Sequence, residues 1–243
     1  MFSRGNITEK IRFGKLVQEG ETVLDLYAGI GYYTLPALVH GKARHVYACE
    51  WNKQAANALT YNIAANGVKG RATVLVGDCR QIARDYNLVD MFDRVSLGLL
   101  PSSEGGWRTA VKALRKDTGG RLHIHGNVPD RELHAWKHWM CKKLLYFVQA
   151  EDGTLGDWVV VCERVERVKS YAPQIHHYVA DVFVGPSRKI SIKCNLKEYR
   201  AGVVLENGEF QPCPLEIEPP SCALSSDGVL HQHWMMEDDT DEL

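Results

Sequence analysis

Residues 24–36 read L-D-L-Y-A-G-I-G-Y-Y-T-L-P. A short apolar run ends in Asp25, glycines follow at Gly29 and Gly31, and an apolar, helix-like segment comes next. Strand, glycine turn and helix in that order cradle a nucleotide-type cofactor. A dinucleotide fingerprint needs G-x-G-x-x-G/A, whose last small residue lets helix and strand approach beneath a pyrophosphate. Thr34 stands at that position, which points away from NAD and FAD. No G-x-x-x-x-G-K-[ST] occurs, so a P-loop is excluded.

Outward from this turn, apolar strand-like runs alternate with helix-like segments. Strands are predicted at Thr22–Tyr27, His45–Glu50, Thr73–Val76, Asp93–Gly98 and Arg121–His125. Helices are predicted at Gly31–Val39, Lys53–Ala65, Glu104–Leu114 and Asp130–Leu145. This rhythm implies an α/β fold with a doubly wound, mostly parallel sheet. Two β-rich runs, Trp158–Val168 and His176–Val184, are expected to form an antiparallel pair at its end. After Pro186 the chain turns rich in proline, serine and acids, so most of 187–243 is expected to be irregular, with K-I-S-I-K as a candidate edge strand.

The strand ends then narrow the cofactor. Glu50 closes the second strand, nineteen residues beyond Gly31, where a carboxylate accepts bonds from both hydroxyls of a ribose. Gly77-Asp78-Cys79 closes the third, where class I S-adenosylmethionine methyltransferases place an acid near the adenine. Three such features at successive strand ends favour S-adenosylmethionine. Open α/β sheets bind ligands at the carboxyl ends of their strands.

The fourth strand speaks to the chemistry. Enzymes that methylate exocyclic amines carry Asn or Asp, Pro-Pro and an aromatic there. Here L-G-L-L-P-S-S-E-G-G-W, Leu97 to Trp107, keeps Pro101 but has Leu100 for the polar residue and Ser102 for the second proline. Amide-assisted amine methylation is therefore disfavoured. Ser102, Ser103 and Glu104 suit either a helix cap or a substrate contact. His123 and His125 share one sheet face and read as structural residues first, with His125 and Asn127 as possible substrate contacts. Without a third ligand, no metal site is expected. Of Tyr32 and Tyr33, one is expected to pack the first helical turn and the other is open to a cation–π contact with a sulfonium. Arg131–Lys143 mixes basic residues with Trp136 and Trp139, as an amphipathic surface helix does, with or without RNA on its basic face.

Composition fits this reading. The chain is 45% hydrophobic and 24% charged, as ordinary globular proteins are. It has no apolar run of about 18 residues and no signal-peptide core, so no membrane association is expected. Seven scattered cysteines without a C-x-x-C favour a reducing compartment, and a cytoplasmic location is expected. Ten of the 30 acids fall between Ala201 and Leu243, which holds no Lys or Arg, so residues 1–200 carry 20 acids against 29 basic residues. A body at a formal +9 suits a polyanionic partner such as RNA.

Together M-F-S-R-G-N-I-T-E-K, the Asp25–Pro36 turn, A-C-E-W-N, G-D-C-R, L-G-L-L-P-S-S-E-G-G-W, L-H-I-H-G-N-V and V-K-S-Y-A-P resemble the tRNA wybutosine-synthesizing protein 2 family, across about residues 1–184. That family belongs with the archaeal and eukaryotic tRNA guanine-N1 methyltransferases. The resemblance implies a class I S-adenosylmethionine fold that transfers the 3-amino-3-carboxypropyl group, not the methyl. The acceptor it implies is a carbon of 4-demethylwyosine in the anticodon loop of phenylalanine tRNA, with methylthioadenosine released. It places cofactor contacts on Ser3 and Lys10, with Lys10 at the cofactor's carboxylate, on Glu50 at the ribose, and on Asp78 and Cys79 at the adenine. Asp25, Gly29 and Gly31 complete the expected cofactor-binding set. The implied division is a cofactor-contacting segment at 1–20, the catalytic domain at 21–186 and an acidic tail at 187–243. Alternatives are a guanine-N1 methyltransferase or a short form that binds cofactor with little turnover, because the family's tRNA-gripping region precedes M-F-S.

Overall fold

T-V-L-D at residues 22–25 is buried along its whole length and forms β1 (Thr22–Asp25), a central strand of a nine-stranded sheet. The structure is a computed structural model that describes residues 6–151, 156–191 and 198–223. Strand order is β3-β2-β1-β4-β5-β7-β6-β8-β9. From β1 the chain runs through β2 (His45–Glu50) to β3 (Ala72–Val76) on one side. It then crosses back to β4 (Arg94–Leu97) and β5 (Gly120–Pro129) on the other. These five strands are mutually parallel, and the reversal of direction between β1 and β4 opens a crevice at their carboxyl ends. Strands β6 (Trp158–Ala172) and β7 (Ile175–Pro186) form the expected antiparallel pair, with β7 inserted against β5.

Alternation of side chains along the strands feeds a core on each face of the sheet. Helices α1 (Ile7–Leu16), α2 (Thr34–Val39) and α3 (Lys53–Ala65) cover one face, where Phe13, Leu38, Leu59 and Ile63 meet Val23 and Val46. Helices α4 (Cys79–Asp85), α5 (Trp107–Ala113) and α6 (Leu133–Ala150) cover the other, where Ile82, Trp107, Trp139 and Leu144 meet Leu24 and Val95. Trp136 and Trp139 point into that core, as the amphipathic reading of α6 requires.

Several elements differ from the sequence reading. Helix α2 begins at Thr34 rather than Gly31, because Gly31 sits at φ +106°, outside any helix. Helix α4 was not expected; seven residues with Cys79, Ile82 and Ala83 buried are too short to show a clear period. Within 187–243, most of which is expected to be irregular, the chain contributes β8 (Ala201–Val204), parallel to β6, and β9 (Phe210–Pro212), antiparallel to β8. The cause is local. A-G-V-V buries Ala201 and Val203, and Asn207-Gly208, with Gly208 at φ +82°, turns the chain back. K-I-S-I-K forms no strand over Lys189–Ser191, and its last two residues lie outside the described ones.

A buried polar chain ties α1 to the sheet. Arg12 binds Glu9 at 2.7 Å and also Asp181 of β7. Asp181 meets His123 Nδ1 at 2.6 Å, and Arg94 Nη1 approaches His123 Nε2 at 2.7 Å. A guanidinium can only donate, so Nε2 is the acceptor and Nδ1 carries the proton. His123 is thus neutral, and Asp181 is the carboxylate it serves. Arg94 also binds Glu21 at 2.7 Å and the Leu16 carbonyl at 2.9 Å. Beside this chain His125 Nδ1 and His177 Nε2 lie 2.9 Å apart. Both histidines of H-x-H are therefore structural, and among the described residues no group of three His, Cys, Asp or Glu side chains is placed to hold a metal.

Burial disfavours the charged form of His123, His125 and His177, with His177 lowered to about 4. An unfolded histidine titrates near 6.5. A folded value below the unfolded one means that the unfolded state takes up the proton first, so stability is full above pH ~6.5 and is lost as pH falls toward 4. His177 alone should contribute about 2 kcal/mol of loss between pH 7.5 and 5. Urea titrations across that range should show the midpoint falling less in His177→Gln than in the wild type. Equal slopes would contradict the assignment.

Candidate functional site

The turn after β1 is built by its two glycines and two carboxylates. Gly29 (φ +55°) and Gly31 (φ +106°) take left-handed conformations that L side chains adopt only with strain. A Cβ on Gly31 would also lie 3.0 Å from the Leu35 and Leu59 side chains. Asp25 is 1% exposed, and its Oδ2 accepts the Thr34 hydroxyl at 2.7 Å. Burial lifts the Asp25 carboxyl to about 6, and the Thr34 bond works against that rise. Thr34, which takes the place of a dinucleotide fold's last glycine, is therefore the residue that fastens Asp25.

Glu50 joins this turn to the next one. Its Oε2 accepts the Gly29 N–H at 2.7 Å and its Oε1 accepts the Asn52 N–H at 2.9 Å. Asn52 caps α3 in turn, accepting the backbone N–H of Gln54 at 2.8 Å. Asp78 closes β3 and caps α4, accepting the Arg80 N–H at 2.8 Å. The Arg80 side chain also grips Asp78 at 2.6 Å, which brings that carboxyl down to about 2. Cys79, the first residue of α4, is buried, and burial pushes its thiol up.

Glu50, Asp78 and Cys79 line one cavity of about 380 Å³ at the carboxyl ends of β1, β2 and β3. Asp25, Gly29 and Gly31 support its floor from behind and do not line it. Lys10 lies on α1 with its ammonium 4.1 Å from the Tyr32 ring centroid, outside the cavity lining. Ser3 falls outside the described residues. Tyr33 is the packing member of its pair, edge-on to Phe13 at 5.3 Å and to His125 at 4.9 Å. Ser103 is buried between the His125 carbonyl and the Trp107 indole N–H, each at 3.2 Å, and caps no helix. Ser102, by contrast, lines the cavity.

Sequence reading did not single out Trp51, Tyr27 or Leu99, which also line the cavity, as do Arg80 and Gly105. Trp51 is 81% exposed although it borders a cavity, and an unpacked indole directly after Glu50 was the available signal. These walls suit a flat heteroaromatic ring. A carboxylate with both oxygens fixed by backbone N–H groups keeps lone pairs for a vicinal diol. Leu99-Leu100-Pro101 places no amide beside the cavity to hold an exocyclic amine.

The model of the TRM5/TYW2 methyltransferase domain matches residues 1–143. The tRNA wybutosine-synthesizing protein 2/3/4 of Arabidopsis thaliana is 50% identical over 182 residues, which cover 75% of this chain and 18% of that protein. The chain spans 17% to 52% of the length of the curated relatives it matches. Among solved structures, M. jannaschii TYW2 in complex with AdoMet matches with a TM-score of 0.66 and 28% identity, over 76% of this chain and 78% of that one. P. horikoshii TYW2 in complex with MeSAdo matches with a TM-score of 0.65 and 28% identity, over 76% and 64%. The mostly parallel sheet with its antiparallel end is thus shared with these proteins, and the chain belongs to the TRM5/TYW2 methyltransferase domain family.

Proposed function

We propose that this chain is the transferase domain of a cytoplasmic tRNA-modifying enzyme of wybutosine synthesis. It moves the 3-amino-3-carboxypropyl group of S-adenosylmethionine to a carbon of 4-demethylwyosine in the anticodon loop of phenylalanine tRNA and leaves methylthioadenosine. The observation that carries this reading is the cavity at Glu50, Trp51 and Asp78, in a fold shared with TYW2 proteins solved with AdoMet and with MeSAdo. MeSAdo is what remains of the cofactor once the aminocarboxypropyl group has gone, whereas methyl transfer leaves S-adenosylhomocysteine. The apolar Leu99-Leu100 at the end of β4 agrees with a carbon acceptor.

In this reading Glu50 accepts both ribose hydroxyls, its orientation set by Gly29 and Asn52. Trp51 covers one face of the adenine, and Asp78 and Cys79 border its edge. Ser3 contacts the cofactor, and Lys10 holds the carboxylate of its methionine end. The position of Lys10 over Tyr32, next to the glycine turn, supports this. The bound cofactor supplies a sulfonium whose attached carbons are all open to displacement. The chain selects among them by orientation, which is worth several kcal/mol in such reactions. The chain's partial coverage of its relatives favours one second reading, a domain that binds the cofactor but turns over poorly by itself.

Three outcomes test these assignments. A full-length counterpart given labelled cofactor and precursor tRNA should release methylthioadenosine; S-adenosylhomocysteine as the product would overturn the group assignment. Glu50→Ala should weaken cofactor binding about 10–100-fold by calorimetry, the loss expected for charge-assisted bonds. Unchanged affinity would remove the ribose role. Lys10→Met should weaken S-adenosylmethionine about tenfold yet leave methylthioadenosine, which lacks the carboxylate, within about twofold. Equal losses for the two ligands would refute the Lys10 assignment.

A further inference from the structure

Beside the cofactor cavity a second cleft of about 580 Å³ runs between α4 and α5. Helix α4 contributes Arg80 and Arg84, and α5 contributes Arg108 and Lys112. In each helix the two cations are four residues apart, so each pair lies on one helix face, about 6 Å apart along the axis. No carboxylate lines the cleft, and Leu88 and Val89 give it an apolar floor. Two carboxylates reach these cations from outside: Asp78 binds Arg80 at 2.6 Å, and Glu151 meets Arg108 at 3.3 Å and Lys112 at 3.1 Å. Four cations against two carboxylates leave an excess of positive charge. Arg84 is bound by the neutral Gln81 amide.

The cleft also adjoins the place where the reaction is proposed to occur. It shares Arg80 and Gly105 with the cofactor cavity. Gly105 is exposed, and a Cβ there would meet nothing within 4 Å, so the ridge between the two spaces is low.

We propose that this cleft is a binding site for RNA phosphates, which seats the strand flanking the base that is modified. This rests on the tRNA reading of the preceding subsection and adds a location to it. The form of the site favours a polymer over a small phosphate ligand. Its cations stand in two rows of two, one on each helix that flanks the cleft, with Arg80, Arg84 and Arg108 exposed and Lys112 half-buried. Rows of that kind bind a repeating polyanion through several weak, screened contacts.

The test uses the intact chain, a labelled phenylalanine tRNA transcript and the double variant Arg84→Ser/Lys112→Ser, which leaves the residues shared with the cofactor cavity in place. Binding is measured across a range of KCl concentrations. The variant should bind tRNA about tenfold more weakly at low salt, and its slope of log affinity against log salt should be shallower by about 1–2. Its affinity for S-adenosylmethionine should be unchanged. Arg84→Lys/Lys112→Arg, which keeps both charges, should restore the wild-type slope. A wild type that binds tRNA, with a variant of equal affinity and slope, would overturn the cleft assignment alone. A wild type that binds no tRNA would overturn the cleft, which lies wholly within this chain, while the product released by the full-length counterpart decides the tRNA reading separately. Inorganic phosphate and ATP form the last arm: saturable binding that the double variant abolishes would reassign the cleft to a free phosphate ligand.

Discussion

The Glu50 carboxylate holds two loops of opposite origin in one geometry. One oxygen takes the N–H of Gly29, in the turn that leaves β1, and the other takes the N–H of Asn52, in the turn that leaves β2. Neither turn is rigid by composition, since one is glycine-rich and the other is a short helix entry. Both amides donate to an ionised acceptor, the stronger class of hydrogen bond. The relation between β1, α3 and the cavity floor depends on this one side chain. Behind it, Asp25 and Thr34 fix the start of α2 in the same manner, so the cradle is two carboxylates deep.

Much of this was legible in the sequence because it rests on short-range rules. The predicted helix Lys53–Ala65 coincides with α3 at both bounds, because its period is carried by residues that are local in sequence. Glu50 and Asp78 could be placed because a strand end followed by a helix start has few geometries. The misses have equally physical causes. Strands β8 and β9 take their stability from β6, which is some forty residues away, and the acidic composition around them concealed a four-residue apolar run. The walls at Tyr27 and Leu99 are set by tertiary placement, which leaves no local trace.

The Arg12–Asp181–His123–Arg94 chain gives α1 its position. Helix α1 buries few apolar side chains, with Phe13 the main one, so packing alone would leave it free to slide. Removing one member of such a chain strands a buried charge, which costs more than the intact chain contributes. The network therefore acts mainly as a register device. It links the segment before β1 to β4, β5 and β7.

The strands added after Pro186 have a consequence for the molecule's behaviour in a crowded solution. Without them the apolar start of β6, Val159–Cys162, would present open backbone donors and acceptors along its outer side. Such an edge invites pairing with another chain. With β8 and β9 in place, the edge beside Val160–Cys162 ends instead on a strand of three residues that closes with Pro212, which has no N–H to offer. Lys142 and Glu132 of the neighbouring helical segment then bind the chain that follows, at Pro214 and Ser221. A stretch that reads as an acidic appendage thus covers the apolar start of that edge and leaves its charged remainder, from Glu163 on, to solvent.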